Sequence, residues 1–115
     1  MEMKLKESVK VLKECIELQN KKSDDYQNKD SNVTQAMHYR RGVDSIHDTM
    51  HGKMLRAQSL LESGQANNFE SLEDTYKDLI NYASFAVAYI RGKMEGQDPN
   101  LDYLNNPKSN VDTSI

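Results

Sequence analysis

Acidic residues recur along one side of a predicted helix in the stretch "NNFESLEDTYKDLINYASFAVAYIRGK", residues 67–93. Glu70, Asp74 and Asp78 lie four residues apart, and Asn81 falls on the same side. Residues spaced by three or four share a helix face, so these side chains would form a polar row. Carboxylate oxygens are ligands that Mg²⁺ and Mn²⁺ prefer in proteins. The row is therefore a candidate metal site.

A second polar row precedes the first in the sequence. Asp44, His47, Asp48 and His51 are spaced at i, i+3, i+4 and i+7, and Arg40 lies one turn earlier on the same side. Two acidic rows on neighbouring helices, facing each other, could hold Mg²⁺ or Mn²⁺ against a phosphate.

Two other interpretations of these rows stay open. His47 and His51 could together bind a transition metal, although the sequence contains no His-Glu-x-x-His motif. Both rows could instead be solvated helix faces, on which Glu73 and Lys77 form an ordinary i, i+4 ion pair.

Apolar periodicity predicts the helices that must position these rows. Leu5, Val9, Leu12 and Ile16 predict a first helix over about residues 3–22. A second helix is predicted over roughly residues 33–62, with Gly42 and Gly52 as points where it could be interrupted. Gly64 is its expected C-cap. No segment alternates with period two, so the fold class is all-α, a small bundle of three main helices.

The third predicted helix begins near Asn68 or Ser71, either of which can cap it. Its main apolar stripe consists of Leu72, Tyr76, Leu79, Ala83, Ala86 and Ile90. Tyr82, Phe85 and Tyr89 lie away from that stripe, so the C-terminal half has two apolar faces. A helix that is apolar on several sides is buried on several sides. Three helices offer little cover for both faces, which predicts a homo-oligomer.

Bulk composition excludes several classes of protein. The 115 residues carry a net charge of −3, with 37% hydrophobic and 29% charged residues, which fits one globular domain. Binding to duplex nucleic acid is not expected, because proteins that do so by charge are clearly basic. No apolar run reaches the roughly 18 residues of a membrane span. The N-terminus has no apolar signal-peptide core, so a cytoplasmic location is expected.

The remaining sequence features concern the lone cysteine and the C-terminus. Cys15 lies in an apolar helical pattern and is expected to be a core thiol, since a single cysteine excludes an internal disulfide. The predicted organisation is a helical nucleotide-binding domain over residues 1–95 and an irregular C-terminal tail over residues 96–115, with a short turn near residues 101–104.

Three stretches together resemble a known family. "ESLEDTYKDLINYASF", preceded by "KSDDYQNKDS" and "GKMLRAQSLLESGQ", is similar to the nucleotide modification associated domain family, which is common in bacteriophages. That family resembles the all-α, MazG-like nucleoside triphosphate pyrophosphohydrolases. The resemblance extends over about residues 12–91. The opening of the third helix matches best, at Glu70, Ser71, Asp74, Thr75, Asp78, Leu79, Tyr82 and Ala83.

The chain departs from the family pattern at two places. Asp25 and Tyr26 match a turn after the first helix, but Gln27 stands where the family prefers glycine. On the second helix Lys53 and Arg56 match the basic positions, whereas Gly52 replaces the acidic residue before the lysine.

The resemblance implies a Mg²⁺-dependent (or Mn²⁺-dependent) pyrophosphohydrolase that cuts a nucleoside triphosphate to a monophosphate and pyrophosphate. In that hypothesis the metal ligands are Glu70, Asp74, Asp78 and, in place of the missing acid, Asp48; Asp48 and Glu70 are the candidate catalytic residues. Lys53 and Arg56 would hold the phosphates. Gly52 weakens this hypothesis, because it removes one expected ligand.

A second hypothesis keeps the pocket without hydrolysis. The chain would be a non-catalytic sponge that sequesters a nucleotide or a cyclic-nucleotide immune signal, in the host cytosol if it is phage-encoded. The candidate nucleotide-binding residues are Asp25, Tyr26, Arg40, Lys53, Arg56, Asn81 and Tyr82, with Arg41 and Tyr39 as further candidates for phosphate and base. A third hypothesis is a helical partner-binding protein with no small ligand.

Overall fold

The structure, a computed structural model, describes residues 4–26, 31–64 and 69–108, and for residues 23–26 and 69 the backbone alone. The described residues form three α-helices, α1 (Glu7–Tyr26), α2 (Val43–Ser63) and α3 (Phe69–Ile90), with a short 3₁₀ helix, Gln35–His38, before α2. They contain no β-strand, and an isolated bridge joins Leu101 and Pro107. The prediction of a small all-α bundle is confirmed.

The long second helix predicted over residues 33–62 is divided at Gly42. Gly42 has φ +60°, a backbone conformation that favours glycine, and it forms the N-cap of α2. A Cβ atom at this position would lie 2.2 Å from the backbone oxygen of Tyr103. Gly52, by contrast, lies within the uninterrupted α2, and Gly64 ends that helix in the left-handed conformation as predicted. Of the two glycines considered as interruptions, only Gly42 is one.

Helix α1 lies about four residues further along the chain than its apolar pattern predicted, over Glu7–Tyr26 instead of about residues 3–22. It continues from residue 22 to Tyr26, so Asp25 and Tyr26 belong to its last turn and not to a turn that follows it. Their side chains lie outside the described part of the chain, as do Gln27 and Asn68.

The core lies between α2, α3, the segment before α2 and the segment after α3. Its buried members are Ala36, Tyr39, Ile46, Tyr89 and Met94, with Val43, Met50, Tyr82, Phe85 and Ala86 packed around them. The 3₁₀ segment is joined to the segment after α3 by a hydrogen bond from the Ala36 amide to the Glu95 carbonyl, 3.1 Å. Segments without apolar periodicity therefore supply part of the core.

The segment after α3 folds back onto the start of α2. The Val43 amide donates to the Tyr103 carbonyl at 2.8 Å. Asn105, with φ +61°, donates from its side-chain amide to the carbonyls of Tyr39 (2.9 Å) and Arg40 (3.0 Å). The same side chain accepts a hydrogen bond from the Tyr89 hydroxyl. Residues 101–108 thus hold together the start of α2 and the end of α3.

The apolar stripes predicted on α1 and α3 are only partly covered within the chain, although Ala86 of the α3 stripe packs against the core. Leu12 and Ile16 of α1 are 50% and 58% exposed, and Tyr76 and Ile90 of α3 are 41% and 57% exposed. The second apolar face of α3 is the one that enters the core, and Tyr89 is 2% exposed there. Within the described residues, no helix is both long and apolar enough to cross a membrane.

Candidate functional site

A cavity of about 920 Å³ opens between the three helices and the segment that precedes α2. Its walls combine amide, hydroxyl, aromatic and charged side chains; among them are Gln19, Asn20, Lys22, Gln35, Tyr39, Thr49, Asp78, Asn81, Tyr82 and Phe85. The volume lies within the range of small-molecule sites, and a mixed lining of this kind can both bury an apolar ligand surface and orient polar groups. This cavity is the candidate site.

Asn81 forms a buried polar position in the cavity wall. Its side chain is 6% exposed, and its Oδ1 accepts a hydrogen bond from Gln19 Nε2 at 3.0 Å. Gln19 also donates to Ser84 Oγ at 2.8 Å, and Ser84 Oγ donates to the Asn81 carbonyl at 2.6 Å. The Asn81 amide nitrogen donates to none of the described residues, so the network fixes a side chain that still has two N–H donors to offer.

Two aromatic rings line the same cavity as Asn81. Tyr82 and Phe85 meet edge to face, with ring centroids 5.5 Å apart. Lys53 Nζ lies 5.7 Å from the centroid of the Tyr82 ring, within the range of a cation–π contact. Tyr39 is buried. This burial is the main reason, and the nearby Tyr82 a smaller one, that the pKa of Tyr39 is raised to about 12. The Tyr39 hydroxyl, like that of an ordinary tyrosine, is protonated at neutral pH and can donate a hydrogen bond.

Asp78 is held between lysines of two different helices. Lys22 Nζ of α1 lies 3.4 Å from Asp78 Oδ1, and Lys53 Nζ of α2 lies 3.2 Å from Asp78 Oδ2. The Asp78 side chain is 23% exposed and that of Lys53 is 29% exposed. Two cations and one carboxylate leave one unbalanced positive charge at this end of the cavity.

The structure brings some of the predicted binding residues together and leaves others apart. Asn81 and Tyr82 line the cavity, and Lys53 reaches it through Asp78 and Tyr82. Arg40 and Arg56 are exposed and are not among the lining residues.

The predicted metal ligands are dispersed in this structure. Asp48 pairs with Arg41 on the exposed surface, and Asp78 pairs with lysines. Glu70 and Asp74 are exposed and form no ion pair with another described residue. Among the described residues, no three His, Cys, Asp or Glu side chains converge so that they could hold a metal ion. These side chains alone do not fit a Mg²⁺ donor set, and the metal site stays a prediction.

The structure also shows where the residues of the two alternative interpretations of the polar rows lie. His47 and His51 are exposed on α2. The expected pair of Glu73 and Lys77 is present at 3.1 Å, and Lys77 also reaches Glu14 of α1 at 2.8 Å. The hydrogen bond to Glu14 and, to a smaller extent, the one to Glu73 raise the pKa of Lys77. This part of the surface joins α1 to α3 and is not part of the cavity.

Sequence reasoning missed Gln19 and Lys22. Both belong to α1 and are spaced i, i+3, so they share a face. Gln19 lies three residues after Ile16 and continues the side of the predicted apolar stripe, where a polar residue was not considered as a site residue. An amide and a lysine at this spacing were the available signal, although only the packing of α1 on α3 shows what they contact.

Comparison with known proteins bears on this site. No curated protein and no solved structure matches the chain. A family described as nucleotide modification associated domain 1 matches residues 22–90, which include Lys22, Lys53, Asp78, Asn81 and Tyr82. Because this match extends over more than half of the 115 residues, the chain belongs to the nucleotide modification associated domain 1 family.

Proposed function

We propose that the chain binds a nucleotide or a nucleotide-derived small molecule in the cavity beside Asn81. The observation that carries this proposal is the Asn81 side chain, 6% exposed and fixed by Gln19, with an amide nitrogen that has no acceptor among the described residues. That nitrogen is not one of the fully buried atoms that lack a partner, so it keeps some exposure and can donate to water or to a ligand. A ligand acceptor in the cavity would satisfy it.

The surroundings of Asn81 suit a nucleobase. Bases present carbonyl oxygens and ring nitrogens that accept hydrogen bonds, and they offer flat faces to aromatic rings. Tyr82 and Phe85 provide such rings in the lining of the same cavity. Lys53 over the Tyr82 ring would place a cation where phosphates attached to a bound nucleoside could extend.

Capture without hydrolysis is the form of this function that the geometry favours. The described carboxylates are dispersed or paired with cations, whereas the hydrogen-bonding and aromatic groups are assembled. Sequestration of a nucleotide or cyclic-nucleotide immune signal in an infected host cell is the role that the phage-associated resemblance suggests. Hydrolysis to a monophosphate and pyrophosphate remains the alternative that the family resemblance implies.

The test is incubation of the purified protein with a panel of linear and cyclic nucleotides, with Mg²⁺ or with EDTA, followed by chromatography. We expect depletion of free ligand that returns unchanged after heat denaturation. Asn81→Leu should weaken binding roughly tenfold or more, because the donors to the ligand are lost. Gln58→Leu removes an exposed amide outside the cavity lining and serves as the matched control.

Two outcomes would contradict the proposal. New products formed at an ordinary enzymatic rate would favour the pyrophosphohydrolase, and loss of that rate in Asp48→Asn would identify Asp48 as a catalytic ligand. Absence of both binding and products across the whole panel would favour a helical partner-binding protein.

We also propose that the chain assembles as a homo-oligomer. The support comes from the apolar face of α3 that the chain itself leaves open, on which Tyr76, Val87 and Ile90 are 41–57% exposed. Contiguous apolar surface of this kind marks sites of protein association.

A further inference from the structure

The ion-pair arrangement at Asp78 has a property that an ordinary bridge between two helices lacks. One carboxylate is shared by two ammonium groups, with Lys22 Nζ at 3.4 Å from one oxygen and Lys53 Nζ at 3.2 Å from the other. Asp78 lines the cavity together with Lys22. The lysines approach it from α1 and α2, so a group at the position of the Asp78 carboxylate contacts both helices.

The charges at this position are not balanced. Each ammonium group has three N–H donors, and Asp78 accepts one hydrogen bond from each lysine. A phosphate carries more negative charge than a carboxylate and has more acceptor oxygens, so it is the better partner for two lysines. Lys22 is half exposed, which leaves it free to turn toward a ligand.

We propose that Asp78 acts as a placeholder anion: it holds Lys22 and Lys53 at a phosphate subsite while the cavity is empty, and competes with the ligand phosphate for both. This inference rests on the proposed nucleotide binding and adds Lys22 as a phosphate-binding residue. It also gives Asp78 a role opposite to that of a metal ligand. A metal ligand strengthens the binding of a phosphate, whereas a placeholder weakens it.

The sign of the effect of Asp78→Asn separates these roles. Asparagine keeps the shape of the side chain and removes its charge, so the lysines lose their competing anion. We expect pyrophosphate and nucleoside triphosphates, titrated by calorimetry at low salt, to bind about two- to tenfold more tightly to Asp78→Asn both with Mg²⁺ and in EDTA, whereas loss of a metal ligand would weaken binding with Mg²⁺. Binding of the unphosphorylated nucleoside should not change.

Glu73→Gln is the matched control. Glu73 is a carboxylate on the same helix and also pairs with a lysine, Lys77, but it does not line the cavity. This variant changes the net charge by the same amount as Asp78→Asn, so it measures the general effect of charge on anion binding. We expect its affinity for pyrophosphate to equal that of the unmodified protein.

Lys22→Gln gives a second, independent measurement. It replaces a half-exposed side chain, so the fold should persist. It should weaken binding of phosphorylated ligands several-fold and leave nucleoside binding unchanged. Weaker binding of the triphosphate to Asp78→Asn, or unchanged binding to Lys22→Gln, would overturn the placeholder role while nucleotide binding itself stood. Failure of the unmodified protein to bind any nucleoside or nucleotide would overturn the proposed function and the placeholder role together.

Discussion

Gly52 and Gly42 differ at the level of the single residue in what a methyl group would meet. Nothing lies within 4 Å of a Cβ atom built on Gly52, which is part of the regular helix α2. A Cβ on Gly42 would overlap the backbone of Tyr103, and the residue has φ +60°. The family pattern drew attention to Gly52 as a missing acid, and the structure shows an open helical position there.

Gly52→Ala should therefore raise the free energy of unfolding by up to about 1 kcal/mol, because glycine in a helix interior has greater backbone entropy to lose. Gly42→Ala should lower it, since the segment at Tyr103 would have to move. Urea denaturation followed by circular dichroism measures both. A Gly52→Ala variant less stable than the unmodified chain would show that this position is not an ordinary helical site.

The site residues that could be predicted from the sequence are those within the polar rows and the family motif. Asp78, Asn81 and Tyr82 share one turn of α3, and all three reach the cavity. The pattern could not distinguish them from Glu70 and Asp74, because helical spacing gives a face and not its neighbours. Only the lysines of α1 and α2 distinguish Asp78 from the rest of its row.

At the scale of elements, the C-terminal segment determines how α2 begins. Asn105 donates to the carbonyls of Tyr39 and Arg40 and accepts from the hydroxyl of Tyr89. The carbonyls of residues 39 and 40 precede α2, and Tyr89 lies in the last turn of α3. The Asn105 side chain thus forms hydrogen bonds with two backbone carbonyls and one hydroxyl around the core.

Asn105→Ala should lower the free energy of unfolding by about 1–3 kcal/mol, because the Tyr89 hydroxyl and the Tyr39 carbonyl, whose hydrogen bonds to Asn105 are partly buried, lose their partner. Asn106→Ala is the control, since the Asn106 contacts are made by its backbone and its side chain is exposed. Thermal denaturation of the two variants provides the comparison. Equal melting temperatures would mean that the segment around residue 105 contributes little to holding α2 in place.

The elements were predicted more successfully than the faces on which they pack. Three helices follow from apolar periodicity, and the break at Gly42 was one of two positions that the glycines suggested. The sequence predicted that both apolar faces of α3 are buried, but it could not show what covers the Tyr89 face, because part of that cover comes from residues 34–39 and 94–105, which have no periodic pattern. Tyr89 is buried within one chain by these segments together with Ile46 of α2, so its burial does not require a partner subunit.

At the scale of the whole molecule, the apolar surface that the chain itself leaves uncovered is the opposite side of α3. Val87 and Ile90 are 46% and 57% exposed there. A shallow groove of about 260 Å³ continues this surface toward α1, between Val11, Leu72, Tyr76 and Ile80. The cavity residues Asp78, Asn81 and Tyr82 point to a different side of the helix, so assembly through this face would leave the cavity accessible.

If this face is the contact between copies, light scattering at micromolar concentration should give a mass above the 13.2 kDa of one chain. Val87→Glu should shift the mass toward the monomer while the helical circular dichroism persists, because an unpaired charge buried in an interface costs several kcal/mol. Ser59→Glu adds the same charge at an exposed polar position of α2 and should leave the mass unchanged. Tyr89→Glu should instead unfold the chain, since Tyr89 is 2% exposed within it. A monomer mass for the unmodified protein, or an oligomer that withstands Val87→Glu, would exclude this face as the contact.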